Sequence, residues 1–318
     1  MEKKVSIIVP VWGVEKWIGR CVRSLMEQTY GNIEYVFVND CTADDSIRIV
    51  SEEVARYPER SGSVRIVEHE KNRGVAAARQ TGTDAATGDL LMHVDGDDYV
   101  STDMVTKMVA AFENTECDVV ECGYVSVYSD TRKEVSALEC SDDAYIRILL
   151  CQNVIHNGMW GRLYRRELFE RDVNFVEGIN YGDDFAVLPR LLCGARRSVV
   201  KEPLYYYNCE NTGSYTHDLS DRHNRQLIRA WHVVRVYFEK HGLSERYKTP
   251  LDVCALNVVR HVMRYGGDKA SLLKETDYSP RSMVARTLNA MFLCGGMMKI
   301  TNVLYLAWRK LLIWRWLR

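Results

Sequence analysis

The ten cysteines include no Cys-x-x-Cys pair and no zinc-like Cys/His spacing, which excludes the usual structural zinc sites and a thioredoxin-type redox motif. Met1, Glu2, Lys3 and Lys4 lead directly into a strand-like run, without the long apolar core of a signal peptide. Both absences lead us to expect reduced thiols in a cytosolic protein. No G-x-G-x-x-G follows the first apolar run and no G-x-x-x-x-G-K-[ST] occurs anywhere, which removes nicotinamide-type and P-loop nucleotide binding. Apolar runs stop short of the roughly 18 to 20 residues that cross a bilayer. Repeats and low-complexity tracts are also missing. Acid is absent from one region: past Asp277 there is none, while Arg281, Arg286, Lys299, Arg309, Lys310, Arg315 and Arg318 remain. The formal net charge of −1 therefore divides into +7 there and −8 elsewhere, and such a split points to a separate partner for the C-terminal part.

What remains is a globular chain of 318 residues, 47% hydrophobic, enough for a sizeable core in one large domain with an appendage or in two domains. Hydrophobic periodicity predicts a strand at Val5–Val9 closed by Pro10, a helix over Glu15–Gln28, and a strand at Ile33–Val38 with a turn at Asn39–Thr42. A helix over Ala43–Tyr57 capped by Thr42, a strand at Val64–Val67 and a helix over Val75–Ala86 follow. Strands alternating with helices imply an α/β fold with a parallel, doubly wound sheet and right-handed crossovers.

The next apolar run, Leu90 to Val94, stops at Asp95-Gly96-Asp97-Asp98. Such a run reads as a buried strand whose C-terminal end opens onto a ligand crevice. Three carboxylates in four residues repel one another unless a cation or hydrogen-bond donors offset them, and Mg²⁺ or Mn²⁺ favours such oxygens together with substrate phosphates. A metal–diphosphate site is the expectation, against the alternative of a solvated acidic turn. Glu15, Asp40, and Asn72 with Arg73 stand beyond the three preceding strands, so all four groups converge on one sheet edge.

Val5-Ser6-Ile7-Ile8-Val9-Pro10-Val11, Gln28-Thr29-Tyr30, Val38-Asn39-Asp40, Asn72-Arg73-Gly74 with Ala78-Arg79, and Asp95-Gly96-Asp97-Asp98 occur in that order. This series resembles the motifs of family 2 glycosyltransferases. The likeness covers roughly residues 4 to 215, continuing through Gly158 to Arg166 and Glu177 to Asp184. Cys41 stands where glycine is usual, Trp12 where tyrosine is usual, and Asp183 where glutamate commonly precedes the last aspartate.

The resemblance implies a GT-A fold, a nucleotide-sugar donor, Mn²⁺ or Mg²⁺, and inversion at the anomeric carbon. It implies a donor-binding set of Pro10, Val11, Trp12, Glu15, Asp40, Asn72, Gly74, Arg79, Asp95 and Gly96. Within this set Glu15 and Asp40 lie at the base, Arg79 near the phosphates and Asp95 at the ribose. Asp97 is the first choice of metal ligand, accompanied by Asp95. Without the family, Asp40 reads equally as a helix cap and Glu15 as a charge at a helix N-terminus. Arg73 and Arg79 read as ordinary surface charges, and the alanines after Gly74 as packing against the sheet. Asp184 falls at the position of the catalytic base with Asp183 beside it, an assignment that a one-residue slip would exchange. Asp98 and Trp160 are placed on the acceptor and sugar side, with Trp160 open to either a sugar platform or a core position. His217 is either a third metal ligand or a structural histidine.

Beyond Ser101, read as the cap of a helix to about Phe112, one or two strands are expected in Asp118–Val127 and a helix in Ser141–Leu150. Asn208 to His217 reads as a loop, and the chain is helical in pattern from Asp218 onward. The expected organisation is a nucleotide-sugar half at 1–100, an acceptor half at 101–216 and a helical region at 217–318. Between 285 and 318, Trp308, Trp314, Trp316 and many aliphatics accompany only basic charges. That pattern fits a helix lying in an anionic membrane interface, with a core-packing helix pair or an oligomer contact as the alternative. The expected activity is metal-dependent, inverting transfer from a nucleotide-diphosphate donor, a UDP-sugar, to a glycan or lipid-linked glycan hydroxyl. By resemblance it serves cell-surface polysaccharide synthesis, in the cytoplasm or peripherally on the inner face of the plasma membrane, and no nucleic acid is involved. Two rivals are a sugar-nucleotidyltransferase, for which Pro10-Val11-Trp12-Gly13 supplies no glycine-rich phosphate loop, and a non-catalytic nucleotide- or carbohydrate-binding protein.

Overall fold

Val5–Val11 forms β1, buried along its length except at Pro10, as expected of a central parallel strand covered on both faces. It runs two residues past the expected end. The Ile8 carbonyl accepts from Val94 N–H and the Val11 carbonyl from Asp40 N–H, so alternate residues face opposite neighbours. Pro10 faces the side on which pairing ends with Ile8 opposite His93, and its missing N–H breaks no ladder bond.

The computed structural model describes residues 2–151, 155–211, 220–294 and 298–318. These form two compact units. The first comprises Met1–Glu139, Gly158–Gly178 and Ala195–Ser214. It contains β1, α1 (Ile18–Met26), β2 (Ile33–Asn39), α2 (Ser46–Val54), the short α3 (Pro58–Ser61), β3 (Val64–Glu68), α4 (Val75–Ala85) and β4 (Leu90–His93). After these come β5 (Tyr99–Val100), α5 (Met104–Glu113), β6 (Val119–Val127), β7 (Arg132–Val135), β8 (Arg162–Arg165) and β9 (Arg197–Asn208).

Among the described residues the strands build one nine-stranded sheet in the order β3-β2-β1-β4-β8-β6-β9-β5, with β7 beside β6. The expected parallel pairing holds from β3 to β4. Beyond β4 the sheet is mixed: β8 runs antiparallel to β4 and β6, β9 parallel to β6, and β5 antiparallel to β9. One face buries Val5, Ile7, Val9, Leu90 and Met92 with Ile18, Val22 and Leu25 of α1 and Met104 and Met108 of α5. Ala76, Ala77 and Ala78 of α4 are buried, and Ala78 packs on Val36 and Val38. The alanine run therefore serves packing on the sheet.

Two expected caps are replaced. Thr42 Oγ1 accepts from Gly13 N–H (2.9 Å) and donates to Asp44 Oδ1 (2.7 Å), so α2 starts at Ser46, whose N–H reaches Asp44 Oδ1 (3.1 Å). Ser101 donates to Asp103, and α5 starts at Met104. In both cases a hydroxyl expected to cap a helix bonds the preceding loop instead.

The second unit comprises Cys140–Asn157, Ile179–Gly194 and Tyr215–Arg318. Its described elements are helical: α6 (Asp142–Leu150), α7 (Asp183–Leu192), α8 (Asp221–Lys240), α9 (Lys248–Tyr265), α10 (Lys269–Glu275), α11 (Met283–Leu293) and α12 (Met298–Trp316). The helix expected over Ser141–Leu150 is α6, and Ser141 Oγ caps it through Ala144 N–H (3.3 Å). Leu251, Val253, Cys254, Leu256, Val258, Val259 and Val262 bury α9 almost all round, which marks it as the central helix. Asp252 of α9, also buried, accepts from Arg281 N–H (3.0 Å) and Ser282 N–H (2.9 Å), fixing the entry to α11.

Candidate active site

In the first unit, the order β2-β1-β4 reverses chain direction across the sheet between β1 and β4, the switch point at which open α/β sheets bind ligands. The loops after β1 and β2 are laced together there. Besides the Gly13–Thr42 bond, Glu15 N–H reaches Asp44 Oδ2 (3.1 Å) and Asp45 N–H reaches Glu15 Oε2 (3.2 Å). Pro10 and Val11 form the strand end, and Trp12 projects beyond them, 49% exposed.

Asp40 is buried, and its carboxylate organises the next loop. Oδ1 accepts from Arg73 N–H (2.8 Å) and contacts His69 Nδ1 (2.7 Å), while Oδ2 accepts from Gly74 N–H (2.7 Å). His69 Nε2 in turn meets Thr81 Oγ1 at 2.9 Å. Asp40 thus holds the entry to α4, a task the sequence did not disclose. Asn72 stays exposed on this loop. Arg73 reaches Glu177 at 2.8 Å across an exposed pair, which contributes little to stability.

The acidic loop after β4 is packed from below. A Cβ on Gly96 would lie 3.1 Å from the Pro10 carbonyl and 3.2 Å from Val14 Cγ2, so the loop lies tight against the β1 end. Arg79, expected as a surface charge without the family, is buried on α4 and reaches Asp95 Oδ1 at 2.7 Å. Asp98, expected on the acceptor side, lies in the interior with no exposed surface. Its Oδ2 accepts from the Tyr205 hydroxyl (2.6 Å) and its Oδ1 from Asn208 N–H (2.7 Å). The same hydroxyl accepts from Asp95 N–H (3.1 Å). Asp98 therefore ties the loop to β9 and presents nothing to a sugar.

Burial, followed by the charges of Asp97 and Asp95, pushes the Asp98 carboxyl well above the usual carboxylate range. Burial and then the Asp95 charge also raise Asp97, although Asn211 Nδ2 donates to its Oδ2 (2.8 Å). Three carboxylates thus crowd one short loop, a repulsion that a divalent cation relieves. Among the described residues no three His, Cys, Asp or Glu side chains converge on one point. A Mg²⁺ or Mn²⁺ site of one or two carboxylates completed by substrate phosphates requires no such cage, and the all-oxygen pair Asp95 and Asp97 fits it.

Trp160 belongs to the core. It is 6% exposed, stacked 4.5 Å from Tyr205 and 5.3 Å from Tyr207, with Tyr124 edge-on. Its faces are covered by rings, so the core reading replaces the sugar platform. His217 lies outside the described residues. Asp183 and Asp184 occupy the first turn of α7 in the second unit, where a helix favours acids. The cap is Gly182, whose φ of +85° suits glycine. Asp183 is buried and Asp184 is the more exposed. Asn180 N–H and Tyr181 N–H both reach Gln226 Oε1 on α8 (2.8 and 2.7 Å), which anchors the approach to this turn.

Tyr205, Asn208, Asn211 and His69 escaped the sequence reading. The aromatic run Tyr205-Tyr206-Tyr207 signals a strand, but nothing local shows that its first hydroxyl meets an aspartate 107 residues away.

Comparison with known proteins agrees with this geometry. The family model for glycosyl transferase family 2 matches residues 6–172. An uncharacterized glycosyltransferase, EpsJ, of Bacillus subtilis is 33% identical over 259 residues, covering 78% of this chain and 74% of that protein. The fold is similar to that of Staphylococcus aureus TarS residues 1–349, solved with UDP-GlcNAc: TM-score 0.61 and 18% identity, covering 96% of this chain and 92% of that one. It is also similar to the mannosyltransferase PcManGT of Pyrobaculum calidifontis, solved with GDP-Man and Mn²⁺: TM-score 0.53 and 17% identity, covering 95% and 88%. A GT-A sheet carrying an acidic loop at its switch point, a family match over more than half the chain and a relative of this identity place the protein in glycosyltransferase family 2, and it is a glycosyltransferase.

Proposed function

We propose that this enzyme transfers a sugar, with inversion, from a UDP-sugar to a hydroxyl of a glycan or lipid-linked glycan during cell-surface polysaccharide synthesis. Residues 1–100 carry the donor and 101–216 the acceptor, and the enzyme works on the inner face of the plasma membrane. The observation that carries the reading is the acidic loop at the switch point, where buried Arg79 holds Asp95 (2.7 Å) and Asn211 meets Asp97 (2.8 Å). The UDP-GlcNAc bound by TarS supports the donor class. TarS is by name a poly(ribitol-phosphate) β-N-acetylglucosaminyltransferase of Staphylococcus aureus, which supports a polymeric acceptor. The Mn²⁺ of PcManGT supports the metal.

Asp97, with Asp95, would hold Mn²⁺ or Mg²⁺, which when bound supplies Lewis-acid stabilisation of charge developing on the leaving diphosphate. Trp12 and Glu15 border the base, and the Arg73–Gly74 loop held by Asp40 forms its wall. Arg79 brings a buried positive charge to the phosphate side and orients Asp95. Asp184 takes the proton of the acceptor hydroxyl as it attacks opposite the diphosphate. Its greater exposure relative to Asp183 supports that choice.

Incubation with a panel of nucleotide sugars and Mn²⁺, measuring released nucleoside diphosphate, tests the reading. Release is expected with a UDP-sugar, is abolished by EDTA and returns with Mn²⁺ or Mg²⁺. Full turnover in chelator would refute the metal role, and release only from a donor carrying another nucleotide would refute the UDP-sugar assignment.

A further inference from the structure

The C-terminal helices carry a surface that the transfer chemistry does not use. α12 packs inward through Thr301, Tyr305, Arg309 and Ile313, all buried. That face is anchored on α9 by bonds from Tyr305 Oη to Asn257 Oδ1 (2.6 Å) and from Arg260 Nε to Asn302 Oδ1 (2.5 Å). At 3.6 residues per turn, Ile300, Leu304, Ala307, Leu311 and Trp314 form a stripe on the opposite side. Apart from Ala307 these are large apolar side chains in the open, with Leu311 65% exposed. Val303, 68% exposed, borders the stripe.

Lys299 and Lys310 flank this stripe on one side and Arg315 on the other. None of the three has an acidic partner among the described residues. α11 repeats the arrangement: Ala285, Leu288 and Phe292 are buried, while Met283, Ala290 and Leu293 are exposed.

We infer that the outer face of α11 and α12 docks on an anionic phospholipid surface, with the apolar stripe of α12 entering the interface and the flanking basic residues meeting headgroups. The inference rests on the membrane placement in the function proposed above and not on its donor chemistry. An apolar stripe bordered only by cations is the composition of an interfacial helix. A second copy on the same face would bring like charges together, because no acid follows Asp277. Crossing is not the mode, since no described helix is long and apolar enough to span a membrane.

The test uses the full chain, floated with vesicles of phosphatidylcholine alone or with about a third phosphatidylglycerol. Wild type is expected to float with the anionic vesicles only, and less at high salt. Near an anionic leaflet each basic residue is worth about fivefold in partition, so the triple change Lys299→Ser, Lys310→Ser, Arg315→Ser should weaken binding about a hundredfold. Leu304→Glu with Leu311→Glu should weaken it about tenfold or more, while thermal melting and donor turnover in solution match wild type. The inference is overturned if wild type stays unbound, if it floats equally with neutral vesicles or if either variant floats like wild type. A dimer dissociated by the leucine changes, in a protein that ignores vesicles, would also overturn it. Loss of donor turnover alongside intact vesicle binding would count against the transfer reading alone.

Discussion

The loop after β4 and the outer face of α12 break the usual placement of side chains in opposite directions. The loop draws carboxylates inward, with Asp98 in the interior and Asp95 and Asp97 half-buried. The helix exposes bulk, with Leu311 and Trp314 more than half open. Buried polar groups and exposed apolar patches are the two informative exceptions to hydrophobic partition. Each exception is given an outside partner by the proposals above: a cation and diphosphate for the loop, a lipid surface for the helix.

The largest expected effect breaks the loop. Asp97→Ala should lower transfer about a thousandfold, the several kcal/mol a Lewis acid supplies, and should weaken donor affinity in Mn²⁺ buffer while far-UV circular dichroism is unchanged. Donor titration and steady-state kinetics check both parts. Asp184→Asn should keep donor and metal affinity but lower kcat about a hundredfold or more. Near-normal kcat there, with collapse in Asp183→Asn, would exchange the two roles.

Removing the hydroxyl in Tyr205→Phe leaves Asp98 and Asp95 N–H each short of a partner. The expected cost is about 1–3 kcal/mol in chemical denaturation, with reduced turnover because the loop then keeps only its Asn208 tie to β9. On α12 the two faces are separable by alanine substitution: Ile313→Ala should cost about 2–4 kcal/mol, whereas Leu311→Ala should stay within about 0.5 kcal/mol. Equal losses would mean that the outer face is covered.

Glu34 offers the contrasting carboxylate of the same unit, fully paired at the other end of the sheet. Burial raises its pKa, but bonds from Lys4, Ser6 and Thr87 outweigh that and bring it down from 4.5 to about 2. A depressed carboxylate contributes stability above its unfolded value, lost as pH falls from about 4.5 to about 2. Glu34→Gln should therefore lower Tm by a few degrees at pH 7, with the gap closing as melts are repeated down to pH 2.

How much could be read without the structure follows from the range of the interactions. β1 to β4 with α1, α2 and α4 were legible because hydrophobic periodicity is local and parallel strands buried on both faces are continuously apolar. β5, β7, β8 and β9 were not recognised, since strands of two or four residues carry little pattern and β9 is only partly buried. The caps expected at Thr42 and Ser101 failed because loops from elsewhere, or their own neighbours, claimed the hydroxyls.

The amino-acid order alone determined the family, the parallel half of the sheet, the acidic loop at its edge and the separation of positive charge into the last forty or so residues, because motif order and periodicity are properties of the chain. Tertiary structure alone decided that Asp98 and Trp160 are interior, that Arg79 is a buried partner of Asp95, and that Tyr205 holds the acidic loop. It also decided which side of α12 faces α9 and which is left open. Burial and pairing are set by residues far apart in the chain, and a carboxylate or an indole has the same local signature whether it meets a ligand or the core.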